Sequence, residues 1–149
     1  MIAALTPKTP PPAPAPALTL NPDVAIEILL KARLFDVKVP QTDPDSGSNA
    51  SDDDSVDALE FGAGDDTRHE LVSAISDLND DEQQDLIALV MVGRGDFTLD
   101  DWAEARQTAA GIGRARTPRY ITDSPRVSDY LEEGLSRFNH SVGDYLDRH

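Results

Sequence analysis

At 149 residues the chain has room for one domain of ordinary size, and 28 acids against 13 Lys and Arg leave a net charge of −15. That balance excludes generic binding to nucleic acid or to an anionic membrane face, since both need clustered cations. The absence of cysteine excludes disulfides, thiolate metal sites and cysteine nucleophiles.

The charge is uneven. Residues 1–40 are net +1, residues 41–66 net −9 and residues 67–149 net −7, and all three lysines fall in the first 40 positions. No apolar run approaches the roughly 20 residues of a membrane helix. The longest, "LIALVMV" at 86–92, suits a buried helix. The N-terminus carries no basic region ahead of a long apolar stretch, so it does not read as a secretory signal. The expected location is cytoplasmic.

In chain order, residues 1–19 are rich in Pro, Ala and Thr. Prolines this dense forbid a helical hydrogen-bond ladder and favour polyproline II, so the segment reads as a disordered tail. Residues 21–36 read as the first helix: Asn21 caps it, Pro22 suits its first position and Asp23 complements its dipole. Val24, Ile28, Ala32 and Phe35 form one apolar side, and Leu29, Leu30 and Leu34 add a second. A helix apolar nearly all round is expected to be well buried.

Residues 37–66 are a long acidic connection, with a short helix expected at about 52–60 on Val56, Leu59 and Phe61. Within it Asp43, Asp45, Asn49, Ser51 and Asp54 fall at calcium-loop spacing. The match is imperfect. Ser48 stands where that loop needs Gly, Ala50 where it needs a bulky apolar residue, and Asp54 where it needs a bidentate Glu. A solvated, self-repelling connection explains the same acids.

A helix at 67–78 places Leu71, Ala74, Ile75 and Leu78 on one stripe. Asn79 with Glu82 is a capping pattern for the next helix, which runs to about 93. The stretch "VMVGRGDFTLDDW" that follows has paired glycines and an Arg-Gly-Asp. It has no Lys-Ser/Thr for a phosphate loop, and Val92 stands where an EF-hand loop ending at Asp101 needs an oxygen. It reads as a corner: Gly93 or Gly95 ends one helix, Phe97 staples near Trp102, and Thr98 caps a helix at 99–115. The small residues Ala103, Ala110 and Gly113 would let a neighbouring helix approach that one closely. "RYITD" reads as a turn. Ser124 and Pro125 open the last helix, whose apolar stripe from Val127 through Phe138 extends to Leu146 with a weak point at Gly143.

The fold class is therefore all-α: a compact bundle of five to six helices over 20–146, with the acidic connection after the first helix inside the domain. Arg114, Arg116 and Arg119 form the one basic cluster and are the candidate site for a partner or an anion, since guanidinium forks suit carboxylates and phosphates. Charge at a helix C-terminus, paired with nearby acids, is the plainer explanation. No histidine pair has metal-ligand spacing, and no serine sits in a nucleophile context, so no catalytic residue and no cofactor is proposed.

Three blocks, "DPDSGSNASDDD", "LNDDEQQDLIALVMVGRGDFTLDDW" and "RTPRYITDSPRVSDYLEEGLSRF", together resemble a bacterial, mainly proteobacterial, domain-of-unknown-function family, the one numbered 3775. The resemblance spans roughly 20–138. It implies no activity and carries over no catalytic residue. It does imply that the acidic connection belongs to the domain.

The reading favoured by the sequence is a non-enzymatic protein-interaction or regulatory module with a protein partner. The alternative is a metal- or small-anion-binding protein, an enzyme included, using the acidic loop and the arginines. A charge mimic that binds basic proteins is a third reading. Apolar surplus on 24–35 and 138–146 leaves room for a homodimer.

Overall fold

The computed structural model describes residues 16–38 and 66–149. The expectations for residues 1–15 and for most of the acidic connection, including Asp43, Asp45, Asn49, Ser51 and Asp54, lie outside the described residues. Those that are described form α-helices and one 3-10 turn, with no strand among them. They are α1 (Pro22–Lys38), α2 (66–76), α3 (Asp80–Arg94), the 3-10 turn Leu99–Asp101, α4 (Trp102–Ile112), α5 (Thr117–Asp123), α6 (Val127–Arg137) and α7 (Val142–Arg148).

The central element is α3. Every residue from Asp85 to Val92 is buried, and the helix packs on α6, α4 and α5. The Asn79 side chain accepts from the Glu82 N–H at 2.8 Å while the Glu82 carboxylate accepts from the Asn79 N–H at 2.8 Å, so the expected capping box is closed on both sides. The helix ends at Gly95, at φ 96°, where the Asp96 N–H reaches the Met91 carbonyl. Arg94 and Asp96 pair across that glycine, Nε to Oδ2 at 2.8 Å. The Arg-Gly-Asp triplet is thus an internally paired helix terminus.

Gly93 has a different task from the helix-ending one considered for it. A Cβ there would lie 1.8 Å from the Tyr130 carbonyl oxygen, and one at Gly134 would lie 2.2 Å from that of Leu89. The two glycines let the α3 and α6 backbones touch, and α1 then packs across α6.

Several boundaries differ from expectation. Residues 117–123 are a helix rather than a turn, because Pro118 sits in the first turn, where its missing N–H costs nothing. Ser124 does not cap α6; its hydroxyl donates to the Tyr120 carbonyl at 2.6 Å, and α6 starts after Arg126 at φ 62°. The last helix breaks at Asn139, at φ 66°, rather than at Gly143. Asn is the side chain that tolerates that conformation best after Gly. Ser141 then caps α7 by accepting from the Asp144 N–H at 3.0 Å. On α4 the core face is Trp102, Ala105 and Ala109, whereas Ala103, Ala110 and Gly113 are exposed. Trp102 packs edge-on against Phe138, centroids 4.9 Å apart.

α1 is capped as expected, Asn21 Oδ1 accepting from the Asp23 N–H at 2.8 Å. Its second apolar side is only partly covered among the described residues: Leu34 is 47% exposed and Val37 72%. Leu146 on α7 is exposed as well. α7 returns to α1 through Arg148, which donates to both Asp23 oxygens at 3.1 and 2.9 Å. That contact holds the Asp23 carboxyl below the usual carboxylate range.

Candidate interaction surfaces on helices α3 to α5

Asp85 stands on the buried face of α3, in register with Leu89 and Val92, and is itself fully buried. A buried carboxylate must be hydrogen-bonded and paired. Its Oδ2 accepts from the Thr19 N–H at 2.5 Å and the Leu20 N–H at 3.0 Å, and its Oδ1 from Arg106 Nε at 2.7 Å. Arg106 also donates to the Asp81 carbonyl at 3.2 Å. One carboxylate thereby ties the segment before α1 to α3 and α4. The sequence carries a signal for it: an acid immediately before the apolar run 86–92 and in helical register with Leu89 and Val92.

Above this hub runs an open groove between α3 and α4. One stretch, about 390 Å³, is lined by Ala17, Thr19, Trp102, Arg106 and Gln107, among others. The next, about 190 Å³, continues to Gln83, Gly113 and Arg114. Both stretches include Gln84 and Ala110, so they are one groove. Two buried polar atoms in its lining residues have no hydrogen-bond partner among the described residues: the Gln83 side-chain oxygen and the Trp102 indole nitrogen. The Gln83 amide nitrogen donates to the Ile75 carbonyl at 2.9 Å, so its oxygen is the free acceptor.

The three predicted arginines divide. Arg114 lines the groove and is committed there, donating to Asp80 Oδ1 at 3.0 Å and to the Ser76 carbonyl at 2.8 Å. Arg116 and Arg119 line a separate cleft of about 430 Å³ with Ile112, Ala115, Tyr120 and Asp123. Arg119 pairs with Asp123 at 3.1 Å in an exposed contact one helical turn long. Arg116 makes no ion pair among the described residues. At the edge of this face the Tyr120 hydroxyl accepts from Arg94 at 3.0 Å. Hydrogen bonds to Asp96 and Tyr120 raise the Arg94 pKa further, against the cost of desolvation.

Among the described residues no three His, Asp or Glu side chains group as metal ligands, and no helix is long and apolar enough to cross a membrane.

Residues 68–140 match the model of DUF3775, a family described as protein of unknown function. This stretch of the chain is similar to that family. The DUF3775 match begins within α2, so α1 and the block "DPDSGSNASDDD" fall outside it, although α1 packs into the same core. It includes Asp85, Arg106 and all three clustered arginines. No curated protein and no solved structure matches the chain.

Proposed function

We propose that the domain is a non-enzymatic protein-interaction module that docks an acidic segment of a partner on the Arg116–Arg119 face. The observation that carries this is the exposed Arg116, a guanidinium without an ion pair among the described residues, beside Arg119 and the Tyr120 ring. The Arg119–Asp123 pair is solvent-exposed on both sides, and such pairs contribute only about 0.2–1 kcal/mol. A partner carboxylate that takes two parallel N–H bonds competes with it readily. Arg and Tyr are also the side chains that most often carry interface energy.

The test compares wild type with Arg116→Glu/Arg119→Glu, leaving Arg114 in place because it bridges α3. A photo-crosslinker at Ala115, in the same cleft, identifies what binds there. A protein crosslinked at Ala115 and lost from the charge-reversed variant supports the reading. A partner retained equally by both forms moves the docking surface elsewhere. If neither form retains a partner, the module reading fails, and the small-anion alternative is then tested by thermal shift with phosphate and sulfate.

A further inference from the structure

Helix α7 has no buried residue; Val142 and Tyr145 are half-buried and its other side chains are exposed. It packs mainly on α1. Its polar ties to that helix are exposed. Tyr145 donates to Glu27 Oε2 at 3.2 Å, and Arg148 holds both oxygens of Asp23. His149 stacks on the Tyr145 ring, centroids 4.4 Å apart, and stands 3.9 Å from Asp23.

The neighbouring helix does not need α7 for its backbone hydrogen bonds. The Asn139 N–H reaches the Ser136 carbonyl at 2.9 Å and the His140 N–H reaches the Leu135 carbonyl at 3.0 Å, with Asn139 at φ 66°. That pair of bonds closes the end of α6 whether or not α7 is seated. The start of α7 is closed locally too, by the Ser141 side chain. The stretch matched by the family model stops at residue 140, so α7 lies outside it.

We propose that α7 is a detachable strap, held on the first turns of α1 by the Arg148–Asp23 pair, which leaves and returns while the core of α3 to α6 stays folded. One cation does most of the holding. Arg148 shares a cleft with Asp144 and Asp147 of α7 while it holds Asp23 of α1. Without that guanidinium, Asp23 loses its bidentate partner and like charges remain at the joint. A released α7 also unwinds, because seven residues do not sustain an isolated helix.

The strap covers apolar surface. Ile26 is 1% exposed and lines the cleft of about 340 Å³ together with the α7 residues. Leu30, Leu34 and Val37 follow it along α1 at i+4, i+8 and i+11, one side of the helix. Leu30 is partly buried, Leu34 47% exposed and Val37 72% exposed. Release bares Ile26 and extends that side into a stripe of four residues, so α7 sets how much apolar surface α1 shows.

Hydrogen exchange on the full chain reads both states. In the native protein the α7 amides should be protected, yet exchange faster than those of 85–92 on α3, because they open without global unfolding. Arg148→Gln should speed α7 exchange about fivefold, the upper end for an exposed ion pair, and leave 85–92 unchanged. The same variant should bind more of a dye that reports apolar surface. Unprotected α7 amides in the native chain overturn the proposal, as does α7 exchange that keeps step with α3 or does not respond to Arg148→Gln. Faster α7 exchange with unchanged dye binding overturns the covering role. Protection of α7 that grows with protein concentration seats it on a second copy and overturns the strap in cis.

Discussion

Replacing Asp85 with Asn changes one oxygen for an amide and tests whether the hub organises the fold. In the native protein the carboxylate receives three donors at 2.5, 3.0 and 2.7 Å. An Asn side chain has one acceptor oxygen. If that oxygen faces the Thr19 and Leu20 amides, its NH2 group meets Arg106 Nε donor to donor. If it faces Arg106, the Leu20 N–H, which is buried, is left without an acceptor. Hydrogen bonds to charged groups contribute about 1.5–3 kcal/mol each, and removing one partner of a buried pair costs about 3–5 kcal/mol. Arg106 is 28% exposed and can turn partly to water, which moderates the loss.

Asp85→Asn should therefore cost about 3 kcal/mol, and Asp85→Leu more, because it keeps no acceptor at all. Urea unfolding followed by Trp102 fluorescence measures both. Hydrogen exchange at Thr19 and Leu20 should accelerate in each variant even where the remaining helices stay protected, since these amides lose their acceptor directly. An Asp85→Asn midpoint equivalent to less than about 0.5 kcal/mol of wild type, with unchanged exchange at Leu20, would falsify the hub.

Gly134→Ala pushes a methyl group into the Leu89 backbone and should cost more than about 2 kcal/mol in the same urea assay, because backbone cannot rotate away as a side chain can. Asn79→Ala removes the acceptor of the Glu82 N–H, the side-chain half of the α3 capping box, and should cost about 1 kcal/mol, whereas Asn79→Ser should recover most of it. Asp36 titrates above the ordinary carboxylate range because it is desolvated and stands near Asp129, with Arg33 offsetting part of this. The native state thus binds that proton more tightly than the unfolded chain, and stability falls as pH rises through the folded pKa. Asp36→Asn should raise the melting temperature at neutral pH, and the gain should vanish below the ordinary Asp range; a gain that persists there points to another cause.

The local signals were legible. Asn21, the Asn79–Glu82 box and Gly95 act through groups one to four residues away, and each stands where the sequence placed it. The failures share a different character. Ser124 looked like a cap, but a hydroxyl has two local uses, and here it donates back to Tyr120. Ala103 and Ala110 share one helical face and Ala105 and Ala109 another, so periodicity alone does not say which is buried; Trp102 anchors the second against Phe138. The arginine cluster was a cluster in sequence. The turn over 114–116, which joins α4 to α5, leaves Arg114 at one cleft and Arg116, with Arg119 of α5, at another.

That separation bears on why the basic side chains after residue 40 are all arginine. A lysine ammonium is a point charge, while a guanidinium can hold two acceptors in fixed directions. Arg33 bridges Asp129 and Glu132 from α1 to α6, Arg106 bridges Asp85 and the Asp81 carbonyl, and Arg114 bridges Asp80 and the Ser76 carbonyl. In each case one side chain spans two groups, which a lysine in the same place does not reproduce. Arg116 makes no such span among the described residues. Arg106→Lys should therefore lower stability by about 1–2 kcal/mol, the order of one charge-assisted hydrogen bond. Arg116→Lys should leave the urea midpoint unchanged and weaken capture of the partner crosslinked at Ala115. Equal stability losses from the two substitutions would show that Arg116 also belongs to the scaffold, and the docking face would have to be sought elsewhere.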